Sequence, residues 1–451
     1  MGRSMSVWLK NPLAIFGNGC EGGLVIDGSV IVEAVPAGAT PTGPFEETVD
    51  ASAFVVLPGL VNTHHHFYQN MTRAHPDAIN QSLFGWLQAL YPIWARITPE
   101  ALELATELAL VELLLSGVTT TSDHHYLFPS GMDDAIDIQV AVARRLGMRV
   151  TLTRGSMSLS TDDGGLPPPS VVQRDDVILA DCERLISRYH ETGPGAFVQI
   201  ALAPCSPFSV KPELMRDSAI LAARCGCRLH THLGETEDET EFCLHAFGRR
   251  PLDHLEHVGW LGEQSWLAHG IHFDPSEIAR LGRHGVGVCH CPTSNMVLAS
   301  GQCRTLELEA AGSPVGLGVD GSASNDAGNV MEGVRHALLL NRLTYGADRV
   351  THQDVLRWAT EGSARCLGRD DIGHLRPGAA ADLALFRADD NLSFSGAHDP
   401  LAALVLCGAP RADRVMVGGR WLVWDGQPAG VDLPRLRARH HRLAISLYGA
   451  A

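Results

Sequence analysis

The chain of 451 residues is 45% hydrophobic and 19% charged, as expected for a globular protein with a substantial core. Its formal net charge of −16 argues against a nucleic-acid backbone as a partner. No apolar run is long enough to span a bilayer, and residues 1–10 lack the apolar stretch of a signal peptide. Together with 11 cysteines that form no CxxC pair, these features predict a soluble cytoplasmic protein that binds neither nucleic acid nor membrane.

Both ends of the chain carry short strand-like segments separated by turns. In the N-terminal part these are residues 13–16, 23–26 and 29–32, with Asp27-Gly28 as a hairpin signal. In the C-terminal part they are residues 381–386, 414–417 and 420–424. Because similar strands flank the rest of the chain, we predict a small β-sandwich domain formed from both termini, residues 1–58 and 372–451.

The middle of the chain alternates between strands and helices. One helix opens at Thr98-Pro99 and closes at Gly117, and others are predicted near 132–146, 175–190 and 211–224. An opening strand before His64 is followed by strands at 118–121, 149–153, 197–202, 227–232, 265–269, 286–290 and 314–320. About eight such units predict an α/β fold, a closed (β/α)8 TIM-type barrel over residues 59–371.

Chemically reactive side chains follow several of these strands, at the barrel end where active sites are built. His64 and His66 stand at alternate positions, which directs both imidazoles to one side of an extended chain. His232 ends the fifth strand and Asp320 follows the eighth. Three imidazoles and a carboxylate suit zinc or ferrous iron, so we predict a single metal ion with one position open for water.

Catalytic roles are predicted for three residues. Glu235, three positions past His232, would pass a proton to a leaving group, and Asp320 would take the proton from the water. His269 would bind the hydroxide or polarise the substrate. Taken singly, these residues also fit a helix-start carboxylate, a turn aspartate and a core histidine, and the histidine pair alone fits a surface turn. The prediction therefore depends on their joint occurrence at successive strand ends.

Other histidines near the predicted site have no assigned role. We treat them as second-layer or pocket candidates for which a structural role is favoured: His65, His124, His125, His230 and His290. Lysine is nearly absent, with only Lys10 and Lys211 in the chain. Some barrel hydrolases bridge two metals with a carbamylated lysine after the fourth strand, where this chain has residues 204–207, Pro-Cys-Ser-Pro. A centre with one metal ion is therefore favoured.

Several motifs resemble the amidohydrolase superfamily, and the similarity covers nearly the whole chain. They are Pro58–His66, His232–Glu235, His269, His290–Asn295, Asp320 and Leu375–Leu383. The His-x-x-Glu pattern is similar to the mononuclear deaminase branch, which includes chlorohydrolase-like and guanine-deaminase-like enzymes. This resemblance implies that a metal-bound hydroxide attacks an amino-bearing sp² carbon of a heterocycle and that ammonia is lost.

Two segments, 66–74 and 83–94, look like those of the 8-oxoguanine deaminases. That resemblance implies conversion of 8-oxoguanine to urate and ammonia, with Gln69 bonded to the purine. Trp86, Arg154 and Cys205 are further candidate substrate contacts, although Arg154 equally fits a structural salt bridge. Cys205 stands where many relatives carry histidine, which puts the usual contact on the fourth strand in doubt.

Alternatives remain open from the sequence. The same centre fits deamination of guanine or of a pterin such as isoxanthopterin, and hydrolysis of a hydroxylated or chlorinated triazine. A non-enzymatic alternative is an inactive metal-binding scaffold, against which the presence of Glu235 and Asp320 argues. A homodimer is plausible because the predicted barrel rim is exposed.

Overall fold

Three β-sheets organise residues 6–408 and 411–449, which this computed structural model describes. The first strands are β1 Ser6–Lys10, β2 Ala14–Ile15, β3 Gly23–Asp27, β4 Val30–Val35, β5 Glu47–Asp50 and β6 Phe54–Pro58. The middle strands are β7 Leu60–Asn62, β8 Val118–His125, β9 Arg149–Ser156, β10 Val198–Pro204, β11 Arg228–Leu233, β12 Ser265–His269, β13 Gly287–His290 and β14 Val315–Leu317. The last strands are β15 Leu383–Arg387, β16 Arg414–Val417, β17 Arg420–Trp424 and β18 Gln427–Pro428.

Strands β7 to β14 form one parallel sheet in which neighbours in sequence are neighbours in space. Hydrogen bonds close the sheet into a barrel: the Thr63 amide and hydroxyl both donate to the Leu317 carbonyl at 3.0 Å. The Asp320 amide donates to the His64 carbonyl at 3.1 Å just beyond. The predicted (β/α)8 barrel is thus confirmed, and its closure brings the first and last strand ends together.

Helices surround the barrel and connect its strands. They are α1 Leu83–Trp94, α2 Pro99–Leu115, α3 Ala135–Leu146, α4 Asp175–Tyr189, α5 Pro212–Cys225, α6 Glu237–Phe247, α7 Pro251–His257, α8 Pro275–Arg283, α9 Pro292–Val297, α10 Thr305–Ala311, α11 Val330–Tyr345, α12 His352–Arg357, α13 Ser363–Cys366, α14 Pro400–Leu406 and α15 Leu433–Tyr448. Short 3-10 turns lie at Phe67–Thr72, Thr161–Asp163, Pro169–Val171 and Leu392–Phe394, and a π-helical turn lies at Trp358–Gly362. Within the described ranges, no helix has the length and apolarity needed to cross a bilayer.

Local sequence explains where the helices begin and end. At α2 the Thr98 hydroxyl accepts the Ala101 amide at 3.2 Å, and Pro99 occupies the first helical position, where no amide hydrogen is needed. The chain leaves this helix through Gly117 at φ +96°, a conformation that favours glycine. Helix α15 was not predicted: it follows the C-terminal strands, where only strands were predicted.

The two smaller sheets have the strand orders β4-β3-β1-β5 and β18-β17-β16-β15-β6-β2. The second sheet joins both chain ends, because β6 pairs with β15 in antiparallel register. Side chains of both sheets share one core, including Leu24, Ile31, Phe54, Leu383 and Met416. The β-sandwich from both termini is confirmed; its boundaries after residue 58 and before residue 372 remain predictions.

Candidate active site

Three imidazoles and one carboxylate meet at the carboxyl ends of the barrel strands. His64 and His66 lie in the loop that follows β7, His232 lies on β11, and Asp320 follows β14. Asp320 Oδ1 is 3.3 Å from Nε2 of His64 and 3.3 Å from Nε2 of His66. The Nε2 atoms of His66 and His232 are 3.1 Å apart. All four side chains are buried, so the predicted ligand set converges on one point.

The protonation of two of these imidazoles follows from their partners. His66 Nδ1 donates to the His124 carbonyl and His232 Nδ1 donates to the Cys205 carbonyl, each at 2.7 Å. A carbonyl oxygen only accepts, so each neutral ring carries its proton on Nδ1 and a lone pair on Nε2. Two lone pairs facing each other at 3.1 Å repel unless a cation lies between them. Two metal–nitrogen bonds of about 2.0–2.1 Å at a tetrahedral angle separate the nitrogens by roughly 3.3 Å, so the site fits a metal ion.

The Asp320 carboxylate is oriented on both sides. The Ser294 hydroxyl donates to Oδ2 at 2.6 Å, and the Gly321 amide donates to Oδ1 at 2.7 Å. Burial alone would raise the pKa of Asp320, but positive charge at the ring nitrogens of His64 and His66 would outweigh it and hold that pKa well below its usual range. The Asp320 backbone is left-handed, at φ +64°. Such strain in a residue other than glycine is concentrated at functional sites.

Glu235 and His269 lie beside this carboxylate. His269 Nε2 is 3.5 Å from Glu235 Oε2 and 3.9 Å from Asp320 Oδ2, and His269 is also left-handed at φ +73°. Burial, and then the nearby charge of Asp320, raise the pKa of Glu235 well above its usual range. The two carboxyl groups therefore have pKa values that are shifted in opposite directions, which is typical of paired acid and base groups.

A pocket opens above these residues. Its walls are largely apolar. They include His66, His232, Glu235, His269 and Asp320, together with Leu83, Trp86, Leu87, Tyr91, Tyr126, Cys205, Phe208, Leu298 and Ser324. Gln69 also lines it, and both of its buried amide atoms have no hydrogen-bond partner within the described structure. Buried polar groups are normally paired, so this amide is available to a bound molecule.

Arg154 does not line the pocket, in contrast to the predicted substrate contact. Its guanidinium forms a 2.6 Å salt bridge with Asp181, donates to Gln173 at 2.8 Å and lies 3.6 Å from the centre of the Phe128 ring. The reason is strand parity: residue 154 points to the helix side of β9 with Leu152. The geometry therefore favours a structural salt bridge as the role of Arg154.

The remaining histidines occupy different surroundings. His65 Nδ1 accepts the His66 amide at 2.8 Å. His124 Nε2 donates to the Ala203 carbonyl at 3.0 Å, and His124 is near enough to three of the ligand histidines to join a metal group. His230 bonds to His64 at 2.8 Å. The ring nitrogens of His125 and His290 are buried without hydrogen-bond partners in the described ranges.

Several residues of the site were not predicted. Glu239 accepts the amides of Gly234 and Glu235, both at 3.0 Å, and so fixes the backbone that carries Glu235. Asn295 Oδ1 lies 3.0 Å from His269 Nδ1. The motif that contains Ser294 and Asn295 was recognised in the sequence, but it gave no sign of which side chains they bind.

Comparison with known proteins adds independent information. A sequence profile of the amidohydrolase family matches residues 55–422. The chain is 63% identical to the 8-oxoguanine deaminase of Pseudomonas aeruginosa over 98% of each protein. It is 35% identical to an isoxanthopterin deaminase from an unknown prokaryotic organism, over 91% of this chain and 89% of that protein. The crystal structure of the atrazine chlorohydrolase of Arthrobacter aurescens TC1 with zinc has a TM-score of 0.91 at 33% identity, covering 97% of this chain and 100% of the other.

Proposed function

This chain belongs to the amidohydrolase family, and from that premise we propose that it is a metal-dependent deaminase that converts 8-oxoguanine to urate and ammonia. The observation that carries the chemistry is that the side chains of His64, His66, His232 and Asp320 approach one another. They lie at the base of a pocket in which the Gln69 amide has no hydrogen-bond partner within the described residues. The choice of substrate is supported by the 63% identity to an 8-oxoguanine deaminase along almost the full length of both proteins.

The proposed metal ligands are His64, His66, His232 and Asp320. A set of three nitrogens and one carboxylate oxygen suits zinc, with iron as the alternative, and the related chlorohydrolase was solved with zinc. When bound, such an ion lowers the pKa of water and supplies hydroxide near neutral pH. No lysine lines the pocket within the described structure, which supports one ion rather than two.

The reaction adds the oxygen of water to the ring carbon that bears the amino group and breaks the bond from that carbon to nitrogen. Asp320 would accept the proton that the water loses. Glu235, kept neutral by its buried surroundings, would donate a proton so that the amino group leaves as ammonia. His269, 3.5 Å from Glu235, would hold the oxygen that becomes the new carbonyl. The proton on Asp320 would then return to Glu235, so that one hydrogen of the water leaves with ammonia and the other stays on the purine, and urate is formed.

Substrate binding is proposed for residues that line the pocket. The carboxamide of Gln69 offers one acceptor and two donor hydrogens, which suits the polar edge of an oxidised purine. Trp86 offers an aromatic wall to a planar ring, and Cys205 borders the same space. Arg154 is left out because its guanidinium is already paired.

The test is ammonia release by zinc-loaded protein offered 8-oxoguanine, guanine, isoxanthopterin and hydroxytriazines in parallel. We expect fast turnover of 8-oxoguanine and little of guanine. Preferred turnover of another compound would keep the metal chemistry and overturn the substrate. No ammonia from any of them, with zinc bound, would favour an inactive metal-binding scaffold.

The predicted homodimer and the predicted cytoplasmic location remain predictions. Light scattering coupled to size-exclusion chromatography distinguishes one copy of the chain from two.

A further inference from the structure

His64 differs from the other two histidines of the proposed centre in what holds its ring. Backbone carbonyls bind the Nδ1 atoms of His66 and His232. The Nδ1 atom of His64 instead lies 2.8 Å from Nε2 of the His230 side chain. His230 is two residues before His232 on β11, so both rings point into the barrel. Among the three histidines, only His64 has its Nδ1 hydrogen-bonded mainly to a side chain, which a substitution can remove.

The Trp266 carbonyl fixes the donor and the acceptor of each hydrogen bond in this series. His230 Nδ1 lies 2.8 Å from the Trp266 carbonyl, which only accepts, so the proton of a neutral His230 is on Nδ1. His230 Nε2 then carries a lone pair and accepts the proton on His64 Nδ1. His64 Nε2 is left as a lone pair, buried and without a hydrogen-bond partner within the described structure, 3.3 Å from Asp320 Oδ1.

Trp266 contacts both His230 and the residue before His64. Its indole stacks on the His230 ring with centroids 4.3 Å apart and an interplanar angle of 14°. Its Nε1 donates to the Thr63 carbonyl at 3.0 Å, immediately before His64. The path from Thr63 through His64, His230 and Trp266 back to Thr63 is a closed ring of bonds. A flip of either imidazole ring would break one of these hydrogen bonds.

We propose that His230 is a positioning residue that fixes the tautomer of His64 and so sets the affinity of the centre for its metal ion. This inference rests on the proposed metal centre but not on the identity of the substrate. Partners of this kind typically change metal affinity by about 10- to 100-fold when removed. His230 itself need not touch either the metal or the heterocycle.

The experiment measures zinc affinity by competition with a chromophoric chelator on full-length protein that has been stripped of metal. His230→Phe keeps a ring for stacking on Trp266 but offers no acceptor to His64, and we expect its zinc affinity to fall by about 10- to 100-fold. His230→Gln places an amide oxygen near the lost Nε2 atom, and we expect it to restore affinity to within a few-fold of wild type. His290→Phe is the matched control, because His290 is equally buried but bonds to no ligand histidine; its affinity should not change.

The thermal midpoint of the metal-free proteins separates positioning from packing. If His230 acts by positioning His64, the His230→Phe and His230→Gln variants should unfold at similar temperatures without zinc while their zinc affinities differ. Equal zinc affinities in these two variants would overturn the proposal, as would wild-type affinity in His230→Phe. Failure of the wild-type protein to bind zinc would overturn both this inference and the metal centre. Zinc binding without turnover of 8-oxoguanine would overturn the substrate assignment alone.

Discussion

The carboxamide of Gln69 lies directly against Gly321, where an added Cβ atom would come 1.7 Å from Oε1. Gln69 follows the first two proposed ligands, and Gly321 follows the fourth, so the two ends of the barrel sheet meet at the proposed substrate contact. The absence of a side chain at residue 321 is therefore what leaves room for the amide in the pocket.

Substitution of Gly321 by alanine should displace the Gln69 amide, because the overlapping atom is the movable end of a side chain. We expect kcat/KM for 8-oxoguanine to fall about tenfold or more, as for the loss of a buried polar contact. Zinc content should be unchanged. Gly333→Ala is the control, since an added Cβ there meets no atom within 4 Å. Wild-type kcat/KM in Gly321→Ala would show that Gln69 does not bind the substrate.

Glu235→Gln removes the proposed proton donor but keeps the shape of the side chain. We expect kcat to fall by about 10²- to 10⁴-fold while zinc remains bound, as measured by ammonia release and by metal analysis of the same samples. Glu237→Gln is the matched control, because Glu237 is exposed at the start of α6. Equal rates for the two variants would remove Glu235 from the mechanism.

Glu239→Ala should disturb Glu235 indirectly, since the Glu239 carboxylate accepts the amides of Gly234 and Glu235. Two buried N–H groups would lose their partner, at a cost of about 1–3 kcal/mol each in the free energy of unfolding. We expect lower stability in urea and a lower kcat with zinc retained. Glu239→Gln keeps one acceptor oxygen and should be intermediate, whereas identical behaviour of both variants and wild type would contradict this role.

Asp123 gives a pH dependence of stability. Burial raises its pKa to about 7, although the Phe67 amide and the Gln139 side chain donate to it and lower that pKa. Between the ordinary aspartate pKa of 3.8 and about 7, the folded state binds the proton more tightly than the unfolded state does. The contribution of Asp123 to stability is therefore most favourable at low pH and is lost as pH rises toward 7.

Asp123→Asn should remove this contribution. With the same excess of zinc, the thermal midpoint of wild type relative to the variant should fall between pH 5 and pH 7.5. Asp133→Asn, at an exposed position, should follow the wild-type curve. A constant difference between wild type and Asp123→Asn across this range would mean that Asp123 does not titrate there.

The barrel and the proposed ligands were predictable from the sequence because short apolar strands, whose side chains alternate between two faces, are followed by histidine or aspartate residues. His64, His66, His232 and Asp320 need only the rule that strand ends of a parallel barrel share one face. Strand parity would also have brought His230 beside His232, and would have turned Arg154 toward the helices with Leu152. The same parity explains why Arg154 pairs with Asp181 instead of lining the pocket as predicted.

Other features depend on packing that no local pattern encodes. The contact between Gln69 and Gly321 joins residues that are far apart in sequence, and it exists only because the barrel closes. The wall that α1 contributes through Leu83, Leu87 and Tyr91 depends on how a loop helix folds over the barrel end. The specificity of such an enzyme resides in these contacts, which explains why the sequence left several heterocycles open.

The proposed deaminase depends on one metal ion held by His64, His66, His232 and Asp320. The most direct measurement titrates metal-stripped protein with zinc and follows ammonia release from 8-oxoguanine at each step. We expect activity to be negligible without metal, to rise in proportion to added zinc and to reach its plateau at one ion per chain. Full activity without metal, or a plateau only at two ions per chain, would contradict it.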